Sequence, residues 1–251
     1  MLTRLLLLAG LAVLSTSCAR GPDSRPDLTV AAAANLTNVF GEIARAFESQ
    51  ANVHVIFSFA ATGDLTRQIE NSAPFDVFAA ADKEHVDLLN HKGLLEPDTI
   101  RTYARGTLAL WVPPNGRTPI DSVQDLARPG VRFVAIAKPD IAPYGRGAVE
   151  SLKALQLWAA VEPKVVYAEN INMSKQYALS GNVDAAFTAY SLVLHDKGSA
   201  ILIDRKLYRP IDQAMGVLKS SKHPDTARRF LEFVSNGPGV AILRRWGYEK
   251  N

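Results

Sequence analysis

Cysteine is nearly absent: Cys18 is the only one in 251 residues. An intrachain disulfide is therefore excluded, and so is any metal site built on several thiolates. The histidines His54, His85, His91, His195 and His223 are spread out without ligand spacing, so the familiar zinc patterns are missing too. No G-x-S-x-G elbow, P-loop lysine or H-E-x-x-H run occurs, and Gly145-Arg146-Gly147 is too little for a dinucleotide loop. A secreted α/β hydrolase would need a Ser or Asp nucleophile beside a His, and nothing in the sequence marks such a pair. Asp76 and Asp82 flank an apolar stretch and read as turn and capping groups, not as a catalytic carboxylate pair. Long apolar runs are lacking as well, because the unbroken stretch Leu5 to Leu14 is too short to span a bilayer. The formal net charge is only +3 and the charged residues are scattered. With no basic stripe and no interleaved aromatics, nucleic acid is not an expected partner.

The N-terminus carries a different message. Arg4, the run Leu5 to Leu14 and the small residues Ser15-Thr16-Ser17-Cys18-Ala19 form the n-region, h-region and cleavage pattern of a secretory signal. Cys18, just after the apolar run, is a candidate for lipidation as in bacterial lipoproteins. The usual Leu three residues before such a Cys is replaced by Ser15, so cleavage after Ala19 to release a soluble protein is the alternative. Residues 1–26 are thus read as signal peptide and tether, and the protein as exported.

Beyond the tether, strands alternate with helices. Leu28 to Ala33 is a short apolar strand, followed by Leu36, Val39, Phe40, Ile43, Ala44 and Phe47 at helical spacing. Val53 to Phe59 and Phe75 to Ala80 continue a βαβαβ rhythm, which implies a parallel sheet covered on both faces. A second unit repeats it: strand Thr107 to Val112, helix Ile120 to Leu126, strand Arg132 to Ala137, helix Gly147 to Trp158, strand Lys164 to Tyr167, helix Met173 to Ser180 and strand Ala185 to Thr188. The closing strand Ile211 to Lys219 and the helices Pro224 to Val234 and Pro238 to Arg245 are expected to return to the first unit. This predicts an α/β protein of two lobes, each a mostly parallel sheet flanked by helices. Residues 27–106 and 214–251 form lobe 1 and residues 107–213 form lobe 2, with crossovers near Tyr103 to Thr107 and Ile211 to Met215.

Four turns at strand ends share one character: Ala33-Ala34-Asn35-Leu36, Ala61-Thr62-Gly63, Pro143-Tyr144-Gly145 and Asn170-Ile171-Asn172 are small or neutral. Each leads into a helix, whose first N–H groups lack intrahelical partners and carry about half a positive charge. Four such ends together offer roughly +2 without a single Lys or Arg. That suits a small, fully deprotonated oxyanion, which can only accept hydrogen bonds. The competing reading is that Asn35 and Thr62 merely cap their own helices and that Tyr144 is a packing aromatic. Asp64, which meets the local helix dipole, and Arg146 are expected to face solvent; an inward Asp64 would add an acceptor and favour a protonated anion.

The runs Thr29-Val30-Ala31-Ala32-Ala33-Ala34-Asn35-Leu36-Thr37, Phe59-Ala60-Ala61-Thr62-Gly63 with Arg67-Gln68-Ile69, and Ala73-Pro74-Phe75-Asp76-Val77-Phe78-Ala79-Ala80-Ala81-Asp82 resemble the periplasmic molybdate-binding proteins of ABC transporters. Ile141-Ala142-Pro143-Tyr144-Gly145 and the ending Gly237-Pro238 through Trp246-Gly247-Tyr248 do so as well. The resemblance implies a type II periplasmic binding fold that buries molybdate or tungstate between its lobes. It implies ligand roles for Asn35 (side chain and N–H), Thr62 (hydroxyl and N–H), and the N–H groups of Tyr144 and Ile171. A tyrosine hydroxyl used by some members falls here on Ala189, with Tyr190 beside it. Further implications are a membrane permease with its ATPase as partner, a monomer, no catalysis and no cofactor. A receptor for another oxyanion or small organic anion, such as sulfate or a sulfonate, is the alternative reading.

Overall fold

The computed structural model describes residues 25–114 and 116–250. Cys18 and the expected signal segment lie outside the described residues.

Strand β1 (Asp27–Ala33) ends in a 3-10 turn, Ala34–Leu36, that runs directly into α1 (Thr37–Ala51). Helix α1 buries Val39, Phe40, Ile43, Ala44 and Phe47, the stripe that its 3.6-residue period brings to one face. It stops at Asn52, whose left-handed backbone (φ 50°) is one that Asn tolerates. The chain continues through β2 (His54–Ala60), α2 (Thr62–Glu70), β3 (Val77–Ala79), α3 (Glu84–His91) and β4 (Arg101–Gly106). It then builds the second lobe from β5 (Leu108–Val112), β6 (Val134–Ala137), α4 (Pro143–Ala154), α5 (Trp158–Val161), β7 (Val165–Ala168), α6 (Ile171–Leu179), β8 (Ala185–Ala189), α7 (Tyr190–Val193) and β9 (Ser199–Leu202). The last elements, β10 (Ile211–Val217), α8 (Pro224–Ser235) and α9 (Gly239–Arg245), rejoin the first.

The two sheets are five-stranded, in the orders β2-β1-β3-β10-β4 and β7-β6-β8-β5-β9. In the first, β1 pairs in parallel with β2 and β3, while β10 runs antiparallel to both β3 and β4. In the second, β6 is parallel to β7 and β8, and β5 is antiparallel to β8 and β9. Each sheet is therefore mixed, where the sequence pattern predicts a mostly parallel one. The reason is topological: β10 returns from the other lobe and β5 arrives from it, so each enters its sheet against the local strand direction.

The matching orders make the lobes structural counterparts, with β1 and β2 in one corresponding to β6 and β7 in the other. The helices that follow these four strands are α1, α2, α4 and α6, and their first turns contain the four neutral turns of the sequence. Ligands in open α/β sheets bind beyond the carboxyl ends of strands, and here those ends face each other across the cleft.

Several local expectations differ from the structure. The helix expected over Ile120 to Leu126 is a 3-10 segment, Val123–Ala127, fixed by a capping box between Ser122 and Asp125. The helix expected from Gly147 starts earlier, at Pro143, because proline at the first helical position sacrifices no hydrogen bond. It stops at Ala154, beyond which Gln156 takes a left-handed backbone (φ 59°) and α5 begins separately.

Candidate functional site

Asn35, Thr62, Tyr144 and Ile171 line one small cavity between the lobes. All four are buried, with exposures of 1, 1, 1 and 4%. The rest of the wall is apolar, supplied by alanines such as Ala34, Ala61 and Ala142 and by Pro143, and no charged side chain lines it. Positive potential can thus come only from N–H and hydroxyl dipoles. Thr62, Tyr144 and Ile171 sit in the first turns of α2, α4 and α6, where no preceding carbonyl is available to their N–H groups.

Capping does not account for Asn35 or Thr62. The N-cap of α2 is Ala61, without a side-chain cap bond, and neither the 3-10 turn nor α1 has one. Thr62 Oγ1 instead accepts from the Ala81 N–H at 3.1 Å, which anchors the oxygen and leaves the hydroxyl proton available for donation. Asn170 is a true cap, its side chain accepting from the Met173 N–H at 3.0 Å and rigidifying the turn that carries Ile171.

The Asn35 amide is tied into a buried cluster. Its Nδ2 donates to Gln213 Oε1 and to the Tyr248 hydroxyl, both at 2.9 Å. Gln213 Nε2 donates to the Tyr144 hydroxyl at 3.0 Å, and the Tyr103 hydroxyl lies 3.0 Å from Gln213 Oε1. Ser191, from the other lobe, donates to the Tyr248 hydroxyl at 2.9 Å, and that hydroxyl donates to the Asn35 main-chain oxygen at 3.0 Å. Burial pushes the phenols of Tyr103 and Tyr144 well above the ordinary tyrosine value, and neighbouring phenols add to this. Tyr248 is pushed up to about 12 by burial, which the hydrogen bonds from Ser191 and Asn35 only partly offset. The cluster therefore stays neutral near pH 7, adding no negative charge beside an anion.

The lobes touch beside the cavity. The Gly63 N–H donates to the Ile141 carbonyl across the cleft at 2.9 Å, and a β-carbon on Gly63 would come within 3.0 Å of Ile141. Arg146, expected at a solvated face, reaches over the cleft from α4. It bonds Glu84 Oε2 at 2.8 Å and lies 3.4 Å from Asp82 Oδ2. Arg209 joins the same group through Glu150 at 2.7 Å and Glu84 at 3.4 Å. Asp64 pairs with Arg67 on the exposed side of α2 and does not line the cavity. Ala189 and Tyr190 do not line it either; the Tyr190 ring lies against Gly247.

Gln213, Tyr103, Tyr248 and Ser191 were not singled out by sequence reasoning. The one available signal is Gln213, a fully buried amide inside the apolar strand β10, since buried polar groups demand partners. Its partners cannot be read from the sequence, because Asn35 is 178 residues away.

Two lobes of matching topology, joined by crossing strands and enclosing a neutral, donor-lined cavity, define a solute-binding protein of the type II periplasmic class. The chain belongs to the bacterial extracellular solute-binding protein family, whose profile matches residues 28–249. It is 32% identical over 247 residues to the molybdate-binding protein ModA of Rhodobacter capsulatus, covering 98% of this chain and 94% of that one. It is 33% identical over 226 residues to ModA of Azotobacter vinelandii, covering 88% and 89%. The solved periplasmic molybdate-binding protein of Azotobacter vinelandii superposes with a TM-score of 0.83 at 30% identity, over 89% of this chain and 99% of that one.

Proposed function

We propose that this protein captures molybdate, or its congener tungstate, in the cavity lined by Asn35, Thr62, Tyr144 and Ile171, and hands it to a membrane permease driven by a separate ATPase. It acts as an exported monomer in the periplasm, tethered through Cys18 if that residue is lipidated. It binds its cargo without transforming it and uses no cofactor.

The observation that carries this reading is the meeting of four helix starts, two from each lobe, around a cavity without charged side chains. Burying an uncompensated dianion costs tens of kcal/mol. Four helix ends at about +0.5 each, with hydroxyl and amide donors, offset that cost. Molybdate and tungstate carry no proton at neutral pH, so a wall of donors serves every oxygen. Hydrogen phosphate brings a proton that needs an acceptor. Sulfate has the same charge as molybdate but shorter bonds, so only cavity size can separate them. The relatives named above as molybdate-binding support the same choice.

Calorimetry with the four anions tests the reading. Molybdate and tungstate should bind at least about tenfold more tightly than sulfate, a difference of about 1.4 kcal/mol, and hydrogen phosphate should bind most weakly. Equal affinity for sulfate would remove the size argument. Asn35→Ala and Thr62→Ala should each cost about 1.5–3 kcal/mol of binding, the range for hydrogen bonds to charged groups, while thermal melts still show a cooperative folded state at a lowered midpoint, because each change removes a buried hydrogen-bond partner. Normal binding by both variants would place the site elsewhere.

A further inference from the structure

The Asn35 amide presents a puzzle. Both its N–H bonds are directed into the protein, to Gln213 and Tyr248, while its Oδ1 is buried without a partner. An acceptor left over at the wall of an anion cavity is the wrong group for a dianion, since it repels the oxygens that Nδ2 would hold. An orphaned buried carbonyl is also costly in itself.

The two arms of a carboxamide have nearly the same shape, and a half-turn about the last torsion exchanges them. For Asn35 this cannot happen alone, because turning Oδ1 toward Gln213 Oε1 would set two acceptors face to face. If Gln213 turns as well, every contact is remade with its direction reversed. Gln213 Nε2 then donates to Asn35 Oδ1 and to the Tyr103 oxygen, and Tyr103 donates to the Ala80 carbonyl, 3.1 Å away. The Tyr144 hydroxyl donates to Gln213 Oε1, and Tyr248 turns its one proton from the Asn35 main-chain oxygen to Asn35 Oδ1, leaving that main-chain oxygen to Ser191 Oγ, 3.4 Å away. No protein acceptor is orphaned, and the Asn35 NH2 is left free for the cavity. Only hydrogen-bond directions change, with no proton transferred between groups.

The geometry points to Gln213 and Tyr248 as positioning residues that set which arm of the Asn35 amide faces the cavity, and so whether the site takes a bare dianion or a protonated oxyanion. In the orientation of the structure the site offers an acceptor, the match for a protonated anion. In the reversed orientation it offers donors only, the match for molybdate, and an arriving dianion selects that arrangement. This inference rests on the reading of Asn35 as an anion ligand given above.

The test is a double-mutant cycle on molybdate affinity. Gln213→Met and Tyr248→Phe are made in the wild-type chain and in the Asn35→Ala chain, with Thr62→Ala as a reference. Affinities for molybdate and hydrogen phosphate are measured by calorimetry, and folding is followed by thermal melts. In the wild-type background Gln213→Met should weaken molybdate about tenfold, as expected when loss of the Gln213 donor lowers the fraction of the productive orientation about tenfold. Tyr248→Phe should do so to a lesser extent, and both should narrow the preference for molybdate over hydrogen phosphate. In the Asn35→Ala background neither should have a further effect. If the losses are the same in both backgrounds, the two residues serve only folding and the inference is overturned. Should Gln213→Met not fold, the nearly isosteric Tyr248→Phe carries the cycle by itself. If instead wild type binds no molybdate, or Asn35→Ala and Thr62→Ala both bind it normally, the proposed function fails first, an outcome distinct from loss of coupling.

Discussion

At the scale of single residues, the site depends on atoms that are absent as much as on those present. Gly106, at the end of β4, leaves room for two side chains of the buried cluster: a β-carbon there would lie 2.0 Å from the Tyr144 hydroxyl and 2.6 Å from Gln213 Nε2. Gly106→Ala should therefore displace both, lowering stability by about 1–3 kcal/mol as overpacking does, and weakening molybdate binding. Urea denaturation and calorimetry on one preparation check both effects, and an unchanged variant would mean that the cluster yields easily. The phenols make a second prediction. Tyr103, Tyr144 and Tyr248 have raised folded pKa values, chiefly through burial. The stability they contribute is complete below the ordinary tyrosine value near 10 and is lost as pH rises through the folded values. Ultraviolet titration of tyrosinate should show these three groups ionising only with unfolding. At this scale the sequence discloses the turn residues, because small neutral residues between an apolar strand and a helix are visible in one window. It hides Gln213, whose meaning lies in partners brought to it by the fold.

At the scale of elements, the periodicities foretell most of the architecture. Alternation in β2 and the apolar stripe of α1 follow from burial on one face, so they leave a trace in composition. Strand β9 leaves none: it is a four-residue edge strand with Leu202 half exposed, and its pairing with β5 is what makes it a strand. Helices α5 and α7, each four residues long, are likewise too short to show a period. Asp76 shows how one carboxylate joins several elements. It accepts from the Thr29 N–H and hydroxyl of β1, both at 2.8 Å, and from Ser221 Oγ at 2.7 Å and the Lys222 N–H at 3.1 Å in the loop before α8. Burial opposes its ionisation most, but the bonds from Thr29 and Ser221 and the nearby His223 outweigh it, so its carboxyl stays below the ordinary range. A depressed folded pKa stabilises above the unfolded value and is lost as pH falls through the folded one. Asp76→Asn should cost about 1.5–3 kcal/mol at pH 7 and flatten the acid limb of the stability profile, measured by denaturant melts from neutral pH down to about pH 3.

At the scale of the whole molecule, the lobes are joined by the crossing strands and by apolar packing such as that of α1 against α7, and polar contacts add to this: buried hydrogen bonds near the cavity and, at its rim, the ion pairs of Arg146 and Arg209. The rim pairs are partly exposed, so each is worth only about 0.2–1 kcal/mol and is screened by salt. Arg146→Ala should thus lower molybdate affinity about two- to fivefold at low ionic strength, a difference that fades in high salt. Calorimetry at two salt concentrations checks this, and a large salt-independent loss would mean that Arg146 contacts the anion. The two-lobe plan is legible in the sequence because each lobe repeats one strand–helix rhythm. The mixed strand directions are not, since they follow from where the chain crosses between lobes and not from any local pattern. The amide cluster has a consequence for descent. Asn35, Tyr144, Gln213 and Tyr248 come from distant stretches yet share their bonds, so a substitution in one changes what the others tolerate. A lineage shifting to a different cargo would meet this cluster as a linked block of characters, to be crossed by paired replacements in a restricted order.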